Sequence, residues 1–213
     1  TILHAGARAN AVYYFRLYDV VNNELVLLAG GASYPSLVSE GAQLVFTVAG
    51  LDAGISTAGI VTDATTTAAS IGFGGLPFGT SVEAAQRITI NTNATEGYQL
   101  FVSAAQELLN VYGEAIPAVS STNAAPDGWT DACLVSVTGC FGYHSTDGTL
   151  NGGDGRFAPT DSYAALSTTA EEIMYSSIPI SDTHDVVYRL SVTEEQAAGD
   201  YETSIQYIAV PTF

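Results

Sequence analysis

The chain has 213 residues, with 22 Asp or Glu, five Arg and no Lys, which gives a formal net charge of -17 and a pI of about 4.1. Clustered Lys and Arg are needed to hold a phosphate backbone, so this composition excludes nucleic-acid binding, and an anionic membrane surface would repel the chain. With 47% apolar and only 13% charged residues, the chain is typical of an exported all-β surface protein.

The N-terminal residues indicate where the protein works. They begin with Thr1 instead of Met and lack a charged region followed by an apolar one, so we interpret Thr1 as a mature N-terminus after signal-peptide removal. No apolar run approaches the roughly 20 residues that cross a bilayer. We therefore expect an extracellular or cell-surface protein that does not span the membrane.

Residues 12–21 are apolar at nearly every position, as in a strand that is covered on both faces. Asn22 and Asn23 are predicted to turn this strand into a second one at 24–28. We predict an N-terminal strand over 1–21 and a single β-sandwich domain over 22–213, with an irregular, loop-rich part at 105–184.

Further strands are predicted at 43–49 and 69–73, and strict alternation then dominates. In 86–92, Ile88 and Ile90 share one face, and alternation resumes at 98–103 after turn residues at 93–97, which predicts a β-hairpin. Asn93 and Thr95 fit the N-glycosylation acceptor pattern, although Asn and Thr are also ordinary turn residues.

The middle of the chain carries the candidate cross-link. Residues 104–110 are predicted to form a short helical turn. Six residues separate Cys133 from Cys140, a spacing that suits a disulfide-closed loop, with free thiols as the alternative. A zinc site would need two further soft ligands at matched spacing, which the sequence lacks.

Residues 145–165 are rich in glycine and contain Asp147, Asp154 and Asp161. Their spacing does not match an EF-hand, so a calcium site at these aspartates is the alternative to a solvated loop, and we expect no cofactor. The histidines are scattered and no nucleophile elbow is present, so we predict that the protein is not an enzyme.

The C-terminal region resumes the strand pattern. In the strand predicted at 185–192, Val186, Tyr188, Leu190 and Val192 share one face; a turn at 196–200 leads to a last strand at 201–207. The predicted fold class is all-β: an antiparallel β-sandwich of jelly-roll type with a loop-rich insertion.

Several short motifs carry a resemblance to known proteins. They are ITINTNATEGYQL at 88–100, GYHSTD at 142–147, RFAP at 156–159, AGDYET at 198–203 and YIAVPTF at 207–213. With them, residues 70–213 resemble uncharacterised secreted proteins of Patescibacteria (the Candidate Phyla Radiation). The resemblance implies an exported β-sandwich on the cell surface and supplies no catalytic residues. In architecture alone, the chain is similar to TasA-like matrix proteins and archaeal bundling pili, whose subunits exchange strands.

The functional hypothesis is a subunit of an extracellular filament that assembles with itself, head to tail, by β-strand complementation. Covalent linkage through Lys is chemically impossible here. Residues 1–20 would be the donor, received in a groove flanked by the C-terminal strands, or would instead complete their own sandwich. The alternatives are a monomeric adhesin or carbohydrate-binding module that uses loop 145–165 to bind a glycan, and a surface-layer component. The donor residues would be Ile2, Leu3, Val12, Tyr14, Phe15, Leu17 and Tyr18.

Overall fold

The structure is a computed structural model. It describes the strands at 12–15, 18–21, 24–27 and 34–37, and residues 43–134, 136–150, 155–159 and 161–213. The chain divides into two compact units, Thr1–Gln43 and Leu44–Phe213. The boundary predicted from the sequence was after residue 21.

The first unit contains two pairs of short strands. Strand β1 (Val12–Phe15) pairs antiparallel with β4 (Tyr34–Leu37), and β2 (Tyr18–Val21) pairs with β3 (Glu24–Leu27). Val21 lies opposite Glu24, so β2 and β3 form an antiparallel pair, as the sequence predicted. The apolar run 12–21 therefore contains two strands of four residues instead of one long strand.

The second unit is an antiparallel β-sandwich, which confirms the predicted all-β class. Its elements are β5 Leu44–Gly50, β6 Ser56–Thr57, β7 Ile60–Val61, β8 Thr66–Thr67, β9 Ser70–Ile71, β10 Ser81–Thr92, β11 Tyr98–Ala104, β12 Leu108–Leu109, β13 Ala115–Ile116, β14 Asp127–Gly128, α1 Trp129–Cys133, β15 Gly139–Ser145, β16 Ser162–Ala165, β17 Glu171–Ser176, β18 Ile180–Val192 and β19 Ile205–Pro211. The two sheets have the strand orders β14-β16-β15-β18-β10-β5 and β17-β11-β19, and β6–β7, β8–β9 and β12–β13 form small hairpins.

The core lies between these two sheets, where their apolar faces meet. The alternation in the sequence predicted these faces correctly, because Ile88 and Ile90 of β10 are fully buried and the predicted inner face of β18 joins the same cluster. Residues of both sheets contribute to it, among them Tyr98, Leu100, Val102, Phe141, Tyr143, Met174, Val186, Tyr188, Leu190 and Val192.

The predicted hairpin over 86–104 is wrong. β10 belongs to the six-stranded sheet and β11 to the three-stranded sheet, so residues 93–97 cross from one layer to the other. Gly97 allows this crossing: its φ is +73°, and a Cβ there would collide with the main chain at Ser176. β18 and β19 are divided between the sheets in the same way. Alternation shows which face of a strand is buried, but two such faces can pack across a core as well as side by side in one sheet.

Two predictions in the middle of the chain have different outcomes. Residues 104–110 form no helical turn; Leu108 and Leu109 instead make strand β12, which pairs with β13. Cys133 at the end of α1 is joined to Cys140 of β15 in a disulfide, with their Cα atoms 5.8 Å apart. Across the described ranges, no helix is both long and apolar enough to cross a bilayer.

Candidate functional site

A groove of about 960 Å³ opens between the two sheets of the unit Leu44–Phe213. One wall is the segment 68–76 and the other is the segment 196–205, which leads into β19. The floor consists of side chains of the hydrophobic core, namely Leu108, Ile116, Phe141, Leu190, Val192 and Tyr207. The sandwich is therefore incompletely closed at this place.

The first wall covers the core without adding a strand to it. Ile71, Phe73 and Leu76 are half-buried against the core, and the ring of Phe73 lies edge-on to Phe141 at 6.0 Å. From residue 72 to residue 78, the main chain makes no backbone–backbone hydrogen bond to any other described residue, and the carbonyl of Pro77 accepts one from the hydroxyl of Thr80 (2.8 Å). Glycines at 72, 74 and 75 suit such an unpaired segment.

The second wall is held by Tyr201. Its hydroxyl accepts hydrogen bonds from the side-chain amides of Gln196 (2.6 Å) and Asn110 (3.3 Å), and donates to the carbonyl of Ala197 (2.7 Å). The exposed carboxylate of Asp200 lies beside Tyr201 on this wall. The wall is thus locally ordered and negatively charged.

A chain of hydrogen bonds fixes the polar part of the floor. The hydroxyls of Tyr188 and Tyr207 are 2.6 Å apart, Tyr207 donates to Oε1 of Gln86 (2.9 Å), and Nε2 of Gln86 donates to the carbonyl of Thr67 (2.7 Å). Burial raises the pKa values of both tyrosines, so both remain neutral hydroxyls. The floor is therefore rigid and uncharged.

The chemistry of the groove favours binding over reaction. Among the described residues that line it there is no His, Cys or Arg, and its charged side chains are Asp200 and Glu202. An apolar floor with an acidic rim suits an extended apolar segment that carries positive charge.

The aspartates predicted from the sequence lie in separate interactions. Asp147 is buried, and its carboxylate accepts hydrogen bonds from the main-chain and hydroxyl groups of Thr149 and from the main chain of Tyr175. Asp161 pairs with Arg189 at 2.7 Å. Asp154 lies outside the described residues.

Asp147 instead belongs to a cluster that the sequence analysis missed, with Asp182 and His184 of β18. Nε2 of His184 lies 3.0 Å from Asp182 and 3.9 Å from Asp147, and the hydroxyl of Tyr98 donates to Asp182 at 2.7 Å. The period of two residues in a strand places Asp182 and His184 on one face, which was the available signal. Since the hydrogen bonds of these carboxylates are already provided by the protein, a protonated His184 satisfies the cluster.

The pKa values of this cluster predict a pH dependence of stability. Burial lowers the pKa of His184, but its hydrogen bond to Asp182 and the charges of Asp147 and Asp182 outweigh burial and raise it above 6.5. The stabilisation is therefore complete below pH 6.5 and is lost as the pH rises through the raised value. We expect His184→Gln to lower the free energy of unfolding by about 1–2 kcal/mol at about pH 5.5 and by much less at about pH 9.

Urea denaturation of both proteins at the two pH values measures this difference. A carboxyl group also titrates in this range, because burial and the hydrogen bond that protonated Glu83 donates to Asp63 raise the pKa of Glu83 to about 7. Glu83 is present in both proteins, so its contribution cancels when wild type and variant are compared at each pH. An equal loss at the two pH values would contradict the prediction.

The remaining predicted positions are placed as follows. Asn93 is exposed on the connection between β10 and β11. Among the donor residues, the side chains of Val12, Tyr14, Phe15 and Tyr18 in β1 and β2 are not described, and Ile2, Leu3 and Leu17 lie outside the described residues. Neither protein-family models nor curated proteins give a match to this chain.

Proposed function

We propose that the protein is the structural subunit of an extracellular filament, and that the groove of one copy receives the N-terminal strand segment 12–21 of the next. The carrying observation is the groove itself, where core side chains form the floor and the part of the first wall from residue 72 to residue 76 supplies no strand. An incomplete sandwich of this kind is completed by a strand from a partner in donor-strand complementation.

The first unit has the properties of a donor. Its described strands form only two-stranded pairs, and an isolated two-stranded sheet is at best marginally stable in water. The sequence of 12–21 is apolar on both strand faces, so each face must be covered. A groove with an apolar floor provides such cover.

Charge also matches the donor to the groove. Residues 1–21 contain Arg8, Arg16 and Asp19 and carry a formal charge of +1, although segment 12–21 alone is neutral, whereas residues 44–213 contain 19 Asp or Glu and three Arg, for a formal charge of -16. Those three arginines, Arg87, Arg156 and Arg189, are already in ion pairs. Attraction between the N-terminal residues 1–21 and the acidic rim favours encounter between copies, and salt should weaken it.

Such a contact joins different surfaces of two copies, so it does not close on itself. Repetition of a head-to-tail contact generates an open fibre. This supports the filament hypothesis over the monomeric adhesin, the carbohydrate-binding module and the surface-layer component.

A cross-linking experiment tests exchange between copies. One full-length variant carries Leu17→Cys, and a second carries Ala198→Cys, at an exposed position of the groove wall, together with a mass tag. After mixing and treatment with a short bis-maleimide, we expect a covalent heterodimer that denaturing gels resolve by mass.

The matched control replaces Ala124, which is exposed and does not line the groove, by Cys in the tagged copy. This pair should give no heterodimer. If the cross-link forms only within single chains that carry both Leu17→Cys and Ala198→Cys, each copy fills its own groove and the filament proposal is wrong.

A further inference from the structure

The main chain of β19 has one paired edge and one free edge. Ala105 donates to the carbonyl of Ser204 (2.8 Å) and Thr212 donates to the carbonyl of Gly97 (3.0 Å), so the even-numbered residues of this stretch bond towards β11. In an antiparallel pair, the residues between them direct their N–H and C=O groups to the other side. Those residues are Thr203, Ile205, Tyr207 and Ala209.

This free edge lies at the groove. Thr203, Ile205 and Tyr207 line it, and within the described part of the chain β19 has no strand partner other than β11. Beyond Tyr207, the edge approaches β5, where the ring of Phe46 lies 6.3 Å from that of Tyr207. The accessible stretch of the edge is therefore 203–207.

The sequence protects one end of the edge and leaves the rest open. Soluble proteins usually block a free edge with Lys, Pro or an inward charge, because an unpaired edge recruits further strands. β19 has no charged residue. Its Pro211 is one of the odd-numbered residues, so the N–H group that proline lacks would have pointed to the free side of the strand. Pairing is thus prevented at 211 and permitted at 203–207.

We propose that Thr203, Ile205 and Tyr207 are the backbone docking edge for a second copy of this chain, whose segment 12–21 adds one of its two short strands, β1 or β2, to β19 as a fourth strand of the small sheet. This inference rests on the proposed function and specifies where it takes place. β1 and β2 are each paired on one side only among the described residues, so each has an edge to offer. The added strand would form backbone hydrogen bonds with β19. Residues 72–78, which lie at the groove now, form no backbone–backbone hydrogen bonds with other described residues.

Hydrogen exchange of wild-type protein tests the edge directly. The assembled and the dilute, unassembled protein are exchanged, dissociated under quench conditions and read by NMR. We expect the amides of Ile205 and Tyr207 to exchange at least about 100-fold more slowly in the assembly, while those of Gln206 and Ile208 are protected in both states. Equal exchange of Ile205 and Tyr207 in the two states would overturn the proposal.

Ile205→Pro provides the second test, because it removes an outward N–H and leaves the bonds to β11 in place. Protection of Gln206 and Ile208 in the variant establishes that β19 still forms. We expect the concentration for half-assembly to rise at least about tenfold. Unchanged assembly, with the Leu17–Ala198 cross-link still formed, would reject β19 as the docking edge and retain the groove. Absence of that cross-link in otherwise wild-type protein would reject the proposed function itself.

Discussion

Replacing Arg156 by Met is expected to lower the free energy of unfolding of the unit Leu44–Phe213 by about 2–4 kcal/mol. The guanidinium lies 2.9 Å from Glu172, whose side chain is only 10% exposed, and also donates to the side-chain oxygen of Asn123. Asn123 in turn donates to the hydroxyl of Tyr143 (2.7 Å) and to the carbonyl of Glu172 (2.8 Å). Without Arg156, a buried carboxylate loses its counter-ion.

The matched control is Arg87→Met, which breaks the bidentate pair with Asp185 at 2.8 and 2.9 Å. Asp185 is as buried as Glu172, with 6% of its side chain exposed, but the Arg87 side chain is 46% exposed, compared with 23% for Arg156. Solvent therefore screens this pair from the arginine side, and its loss should cost about 1–2 kcal/mol. Urea denaturation of dilute protein at neutral pH measures both variants. The double variant Arg156→Met, Glu172→Gln should recover part of the loss, because the buried negative charge is removed and the amide can still accept the hydrogen bond from Gln99. A loss at Arg156 no larger than at Arg87 would show that the network is not stabilising.

This network also explains why part of the glycine-rich stretch 145–165 is better anchored than its composition suggests. Phe157, next to Arg156, is buried, and its ring contacts those of Tyr143 and His144 at 5.8 and 5.5 Å. The glycine-rich composition indicates only that the stretch lacks a regular strand or helix pattern. It does not reveal that Arg156 binds Glu172, 16 residues later in the chain. The candidate glycan-binding loop is therefore in part a buried structural element.

The alternation of apolar residues correctly predicted which face of each strand is buried. It could not predict which distant strands pair with one another. Ile88 and Ile90 had to be buried together, because side chains two residues apart in a strand share a face. Whether β10 would pair with β11 or face it across the core depends on which distant strands compete, and β18 pairs with β10 along its whole length. The turn residues at 93–97 permit either outcome.

The candidate site, like the fold, could be predicted from the sequence only in part. One wall of the groove comes from the C-terminal segment 196–205, and the other comes from residues 68–76, where the sequence indicated only a further strand. The partners of Asp147 were equally hidden, because Asp182 and His184 come close to it only through the pairing of β15 with β18. A single sequence contains the residues of such clusters without the register that assembles them.

Tyr14→Asp is expected to abolish assembly at concentrations where the wild type forms fibres. In the proposed filament, both faces of segment 12–21 are covered, so the new carboxylate would be buried without a partner. A penalty of about 3 kcal/mol already raises the concentration needed for assembly more than 100-fold. Sedimentation and negative-stain electron microscopy across a concentration series measure the change.

Ser33→Asp is the matched control, since it adds the same charge to the same unit outside the proposed donor segment, and it should assemble almost as the wild type does. The urea midpoint of the sandwich should be unchanged in both variants, because the substitutions lie in the unit Thr1–Gln43. If both aspartates abolish assembly equally, added negative charge on an already acidic protein is the cause, and burial of the donor strand is not. If neither does, residues 12–21 are not the donor, and the groove must be completed by another segment or another partner.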